Sequence, residues 1–324
     1  MLMMDPVSSK DILSMSPMEL VLNGIQDPIG VFIKGDPHPL RKLKTKAYRC
    51  ICPVSLADQQ VESFLFDSSS SYLKSQGMLT GSAVGISFTD EKLSEFYGFV
   101  TSLVERYGPA VFDDCSGFDA LHTPQIYRAT ARVDELVHGM VGERFNAANL
   151  AWCHKASYGV YIFTDTLYEL EVPGMMDSGK RDTSRRNTCV RGLLSTYLCI
   201  LSNQDPKFVI ANGDDGGTWG IHDLDAYKSA ALQSGITLRD VVQSSDTFEF
   251  CSHKYSRQNG IVRAPLVSWS KAIYSAMCKP AMTQTDAYQI AHECRHNTVG
   301  DLNIRIKRYL DAIIPCPDLV FGQN

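Results

Sequence analysis

No apolar run in this chain of 324 residues approaches the ~18 residues that cross a bilayer, so membrane attachment would fall to a partner. The opening Met1-Leu-Met-Met-Asp-Pro6 lacks the basic-then-apolar order of a signal peptide. The ten cysteines show no metal-ligand spacing, and Cys50 with Cys52 makes a CxC rather than a CxxC pair. That argues against a zinc site or disulfide framework and for free thiols in a reducing compartment. Internal repeats and low-complexity tracts are also missing. With 44% hydrophobic and 21% charged residues, the composition excludes extended disorder. The length suffices for a sizeable core in about two subdomains.

The net charge of −5 opposes a uniformly nucleic-acid-binding surface, but the charge is unevenly spread. Lys34, Arg41, Lys42, Lys44, Lys46 and Arg49 face a single acid, Asp36, within one short stretch. Lys180, Arg181, Arg185, Arg186 and Arg191 form a second basic cluster. A channel enzyme needs local positive potential only where phosphates pass.

Three polar segments carry the chemistry. They are Asp114-Cys-Ser-Gly-Phe-Asp119, Ser178-Gly-Lys-Arg-Asp-Thr-Ser-Arg-Arg-Asn187 and Gly213-Asp214-Asp215. Ala110-Val-Phe112 reads as a strand that delivers Asp114. Phe208–Ala211 and Thr218–Ile221 read as hairpin arms with both aspartates at the tip. A lone Gly-Asp-Asp run arises by chance in about one in 15 such chains and is usually a solvated turn. Strand-borne acids brought together are different, because they repel unless cations lie between them. Asp114 and Asp214 are therefore the expected metal pair, with Asp215 as an outer ligand. Two such metals activate a 3′-hydroxyl and clamp a leaving pyrophosphate.

A helix is predicted over 180–201, with Thr183 and Asn187 one turn apart. They are either solvated helix polar residues or, with Asp119, the partners of a ribose 2′-hydroxyl. Ser178-Gly179 reads as a flexible, close-approach loop or as a plain helix cap. The 34–49 run lacks the Gly-x-x-x-x-Gly-Lys signature of a P-loop. It is a solvated face or a fixed loop over a triphosphate. His292, Cys294 and His296 read as structural. Further expectations are a helix over 9–25 capped by Ser9, a strand at Val31–Ile33 and a mainly helical stretch from Ala264. Val54–Phe66 is expected to be a helix with Val54, Leu56, Val61, Phe64 and Leu65 as its apolar positions.

In order and spacing, the three segments resemble the A, B and C motifs of viral RNA-dependent RNA polymerases. Val31–His38 with Lys46–Arg49 is similar to the basic fingers motif of the sobemovirus and polerovirus-like enzymes. Pro53–Glu62 and Phe248–His253 extend the likeness over about residues 15 to 310. The resemblance implies an α+β right-hand polymerase with an antiparallel β palm, helical fingers and a small helical thumb. It divides the chain into fingers (1–108), palm (109–124), a fingers/palm insertion (125–172), palm (173–254) and thumb (255–324). It implies RNA synthesis from NTPs by a two-metal mechanism with Mg²⁺ or Mn²⁺ held by Asp114, Asp214 and Asp215.

Asp119, Ser178, Gly179, Thr183 and Asn187 would then select the nucleotide, and Lys34, Arg41, Lys42, Lys46 and Arg49 would hold triphosphate and template. Phe250, Cys251 and Ser252, within 248–253, would form the primer grip. Implied partners are template and nascent RNA, NTPs, and other viral replication proteins or an upstream polyprotein part, but not DNA. The implied location is the host cytoplasm, at membrane-associated replication sites reached through partners. Lys180-Arg-Asp182 is bulkier and more charged than the small polar residues usual there. Arg239 is a weak match to the family's general acid. Only 33 residues precede Lys34, which suggests a fragment or the C-terminal part of a frameshift polyprotein. An RNA-binding replicase piece without activity is thus one alternative. A reverse transcriptase is another, disfavoured by Gly213 and Asp119.

Overall fold

A computed structural model describes residues 8–35, 38, 40–46, 48–137, 142–278, 283–297 and 308. Helices α1 (Ser9–Ser14) and α2 (Pro17–Leu22) replace the single helix expected over 9–25. Ser8 and Ser16, not Ser9, cap them, each in a reciprocal box with the acid three residues on. Pro17 divides the two because it donates no N–H and holds the preceding residue extended.

Strands β1 (Ile29–Gly30), β2 (Phe32–Ile33) and β3 (Cys50–Ile51) flank the short helix α3 (Leu40–Lys44). The long helices α4 (Leu56–Gln76) and α5 (Asp90–Tyr107) follow. Next come β4 (Ala110–Cys115), α6 (Pro124–Val137), α7 (Glu143–Ser157), β5 (Val160–Phe163) and β6 (Thr166–Glu169). The remainder is α8 (Thr183–Leu201), β7 (Phe208–Asn212), β8 (Asp215–Trp219), α9 (Leu224–Gln233), β9 (Leu238–Ser244), β10 (Phe248–Phe250), β11 (His253–Gln258), β12 (Ile261–Arg263), α10 (Trp269–Met277) and α11 (Gln284–Glu293).

The expected apolar positions of α4 do not form its buried face, although Val54 just before it is buried. Asp58, Glu62, Phe66 and Ser69 are buried, while Leu56, Val61 and Phe64 are exposed, Phe64 to 93%. Charge pairing decides the orientation. Asp58 pairs with Lys155, and Glu62 accepts the Arg181 backbone N–H at 2.6 Å. The guanidiniums of Arg185 and Arg186 lie 4.9 Å from the Phe66 ring centre.

The central sheet has the order β7-β8-β4-β9, antiparallel throughout. Strand alternation sends Phe112 to one face, against Phe248, Phe250, Trp219 and α5, with Phe112 and Phe248 stacked at 4.5 Å. Val111 and Cys115 face α8 and α9 on the other side. Two consecutive acids of β4 are thereby aimed to opposite faces. A second antiparallel sheet, β10-β11-β12, packs against the first core. A small sheet of order β1-β5-β6 includes a parallel β1–β5 pair that the sequence did not announce.

His292, Cys294 and His296 are structural, as expected. Cys294 is buried, and His296 Nδ1 accepts the Ala264 N–H at 3.0 Å. Arg295 and His296 both pair with Asp90. The expected helical thumb (255–324) begins instead as strand, with β11 and β12 paired antiparallel, and α10, α11 and Arg308 are its other described parts. The other residues beyond 297 lie outside the described residues.

Candidate active site

Asn212 and Asp215 close a two-residue turn whose first member is Gly213, at φ +65°. Glycine adopts that conformation without the Cβ clash of other residues, so the turn can be tight enough to present Asp214 at its exposed tip. Helix α8 holds the turn from behind. Gly213 N–H donates to Thr188 Oγ1 at 2.9 Å, and Arg191 Nε donates to the Asp214 carbonyl at 2.9 Å. Arg191 also pairs with Asp113, both side chains wholly buried. A Cβ at position 216 would lie 2.6 Å from the Arg191 guanidinium carbon, so Gly216 makes room for that contact.

On the opposite face of β4, Asp114 Oδ2 accepts from Arg239 Nη2 at 2.6 Å. The two residues are directly opposed across β4 and β9. Between Phe112 and Asp114 the pairing slips by one residue of β9, and Asp240 in that bulge has φ +51°. Such bulges re-aim the neighbouring side chain. Arg239 is not the general acid that the sequence suggested as a weak match. A guanidinium keeps its proton at neutral pH.

The acids act on one another. Burial raises the Asp114 carboxyl above its usual range, Arg239 opposes the rise, and Asp214 and Asp240 add to it. Burial and the charges of Asp214 and Asp114 push Asp215 up to about 7. Asp119 is exposed overall, but the walls around its carboxyl and the charge of Asp214 raise it as well, while a hydrogen bond from Asn187 and the charge of Arg49 pull it down. The expected acids are therefore brought together.

Whether this set suits Mg²⁺ or Mn²⁺ turns on its donors. Asp114 Oδ1 is buried with no hydrogen-bond partner among the described residues, and the neighbouring carboxylates repel. Among the described residues no three acids, histidines or cysteines already enclose a cation. Mg²⁺ does not require such a cage, since it is commonly held by one or two carboxylates together with substrate phosphates and water. The residues fit on chemistry.

Asn187 meets Asp119, as the ribose reading requires, and its buried Oδ1 has no partner among the described residues. Thr183 does not join them. Its hydroxyl donates to the carbonyls of Asp177 and Lys180, closing the loop before α8. Ser178 and Gly179 are stitched to β3 rather than free. Ser178 Oγ accepts the Cys52 N–H, and Gly179 N–H donates to the Cys52 carbonyl, both at 3.2 Å. A Cβ at 179 would stand 2.6 Å from Pro53 Cα, so the close-approach half of that expectation holds.

The second basic cluster does not supply phosphate-facing charge. Lys180 is buried against Asp177 at 2.8 Å and donates to Tyr127 Oη at 3.0 Å. Arg185 and Arg186 share Asp134 and Asp182, and Arg181 grips Asp67 through two 2.9 Å bonds. Internal acids cancel these cations. This also explains the unusual bulk of Lys180-Arg-Asp182, whose side chains build the wall under the loop. Helix α8 accordingly starts at Thr183, three residues later than expected. Gly174 through Lys180 does spell Gly-x-x-x-x-Gly-Lys, a run missed in the sequence. The buried, paired Lys180 rules out its use as a phosphate cradle.

Of the 34–49 run, Lys46 and Arg49 are exposed, Lys34 and Lys42 half-buried, and the Arg41 side chain lies outside the described residues. Of this run, Arg49 lies near enough to Asp119 to lower its carboxyl. In the expected primer grip, Phe250 is a correction: it is 1% exposed and stacks on Phe96, so it supports the hairpin and cannot touch an RNA. Cys251 and Ser252 form the β10–β11 turn, both at positive φ. Asn212 Nδ2 donates to Cys251 Sγ at 3.0 Å, linking that turn to the aspartate hairpin.

Comparison with known proteins gives a consistent result. The family model for viral RNA-directed RNA polymerase matches residues 119–270. The chain is 30% identical to Replicase polyprotein P2AB of Southern bean mosaic virus, over 98% of this chain and 32% of that protein. It is 31% identical to Protein P1-P2 of Turnip yellows virus, over 78% and 23% respectively. With the RNA-directed RNA polymerase of Mushroom bacilliform virus it shares 29% identity, over 88% and 69%. The chain thus spans about a third or less of the polyproteins it matches. Its fold is similar to the RNA-dependent RNA polymerase of a human picorbirnavirus, with a TM-score of 0.69, 14% identity, and 89% of this chain and 57% of that one covered. In sequence and in its α+β fold, the chain is similar to the viral RNA-directed RNA polymerases, those of Southern bean mosaic virus and Turnip yellows virus among them.

Proposed function

We propose that this chain carries out template-directed RNA synthesis from ribonucleoside triphosphates during viral genome replication. One observation carries the reading: the charge of Asp214 at the hairpin tip acts on both Asp114 and Asp215 and raises the proton affinity of each. Such an arrangement is costly without a cation. Asp114 and Asp214 would hold Mg²⁺ or Mn²⁺, with Asp215 beside them. The bound cations would lower the pKa of a primer 3′-hydroxyl and neutralise the triphosphate.

The chain's own residues supply the rest. Thr188 and Arg191 fix the aspartate turn, so its carboxylates are placed before a nucleotide arrives. Asp119 and Asn187 would offer acceptors to a 2′-hydroxyl, the buried and partnerless Asn187 Oδ1 among them. Arg49, near Asp119, is set to meet triphosphate oxygens, with Lys34, Arg41, Lys42 and Lys46 from the same run. Cys251 and Ser252 would contact the primer end. In this reading the partners are template and nascent RNA, with other parts of a replicase polyprotein of the kind its relatives' names describe. The site of action is the cytoplasm of the host, at membranes reached through those parts.

The test is incorporation of labelled NTP on a primed homopolymer with Mg²⁺ or Mn²⁺, beside Asp214→Ala. Loss of the metals' several kcal/mol predicts a fall on the order of 10³-fold or more, with RNA binding retained. Full activity in the variant would overturn the assignment. RNA binding without incorporation by the wild-type chain would favour the inactive-fragment reading.

A further inference from the structure

We infer that Arg239 is a built-in counter-cation for Asp114, one that a divalent ion must displace before the site can load. The inference rests on the polymerase reading and adds a gate to metal entry. Asp114 has one oxygen buried without a partner and the other held by Arg239 Nη2 at 2.6 Å. Of the groups acting on Asp114, the acids Asp214 and Asp240 oppose its charge, and Arg239 is the cation that favours it. The β9 bulge at Asp240 sets Arg239 directly across from Asp114. The contact is therefore built into the strand register, not the chance reach of a long side chain.

A cation and the guanidinium compete for the same carboxylate. Arg239 is half-exposed, so the pair is weak enough to open. Removing a half-exposed partner of this kind corresponds to about a two- to fivefold change in an equilibrium. Arg239 is thus a positioning residue. It holds and aims the Asp114 carboxylate while the site holds no metal, and it lowers apparent metal affinity in exchange.

The experiment is calorimetric titration of the full chain with MnCl₂, without RNA or nucleotide. Arg239→Gln should bind Mn²⁺ about two- to fivefold more tightly than wild type. Lys254→Gln removes a nearby exposed cation that faces Glu249 instead, and should change affinity by less than half as much. Equal or weaker binding by Arg239→Gln, or an equal gain in both variants, would overturn the inference. Should Arg239→Gln fail to fold, Arg239→Lys serves, with a smaller gain expected and none counting against. Asp114→Asn separates the two ideas. Unchanged Mn²⁺ binding in that variant defeats the metal site itself. Weakened binding there with no gain in Arg239→Gln defeats only the role of Arg239.

Discussion

Arg191 ties Asp113 to the aspartate turn: one guanidinium pairs with the Asp113 carboxylate and donates to the Asp214 carbonyl. The side chain is wholly buried and also donates to Ser195 Oγ. It crosses from helix α8 to strand β4 and to the turn between β7 and β8. We predict that Arg191→Met leaves Asp113 buried and uncompensated, destabilising the fold by about 3–5 kcal/mol. Adding Asp113→Leu should restore much of that loss. Urea melts of the single and double variants check this, and an additive double variant would mean that the two side chains are not coupled.

Sugar choice is expected to depend on Asp119 and Asn187 together. Either residue changed to alanine should lower the preference for NTP over dNTP by about tenfold, the worth of one hydrogen bond to a charged or buried group. Thr183→Ala should have a smaller effect, because its hydroxyl closes the 177–183 loop. Competitive incorporation of GTP against dGTP gives the ratios. An unchanged ratio in Asn187→Ala would remove that residue from the ribose site.

Arg49→Ala should raise the KM for NTP by about tenfold and change kcat less, provided it neutralises the triphosphate in the bound substrate. Arg49 is exposed, so its truncation leaves the core intact. Steady-state kinetics at saturating template separate the two parameters. A normal KM would confine Arg49 to shaping its loop.

Glu62 provides a pH dependence away from the acids of the active site. Burial raises it from 4.5 to about 7, against the pull of the Arg181 N–H bond and of Lys180 and Arg186, with Asp182 adding to the rise. A carboxyl raised in the folded state binds protons more tightly there than when unfolded. Stability therefore falls as pH climbs from about 4.5 to 7 and then levels off. The full shift corresponds to roughly 3 kcal/mol at most. Glu62→Gln keeps the acceptor for Arg181 and should flatten the decline. Tm measured from pH 5 to 8 tests it, and identical slopes in both proteins would sink the idea.

The strands and acids were legible because strand alternation and a Gly-Asp-Asp tip are local signals. Ala110–Asp114 and the hairpin around Gly213 could be read within a few residues. The orientation of α4 could not, since Asp58 and Glu62 owe their burial to Lys155 and Arg181, far along the chain. The same reason hid the fate of Lys180, Arg185, Arg186 and Arg191. A run of cations looks alike whether it faces phosphate or the protein's own acids. Phe250 was misread because its strand pattern marks a hairpin without saying which side is core. Arg239 was noticed but given the wrong chemistry, because the bulge that aims it at Asp114 has no signature in the residues alone.

Asn187 and Thr188 are neighbours on α8, yet they face different clients: one bonds Asp119 and the other receives the Gly213 N–H. No flexible joint lies between them, because both belong to one unbroken helical turn. On the proposed reading, a sugar that shifted Asn187 would shift Thr188 with it and carry the aspartate turn out of alignment. Discrimination and bond-making would then be geared to a single rigid shaft, and a poorly fitting nucleotide would be slowed by the same displacement that detects it.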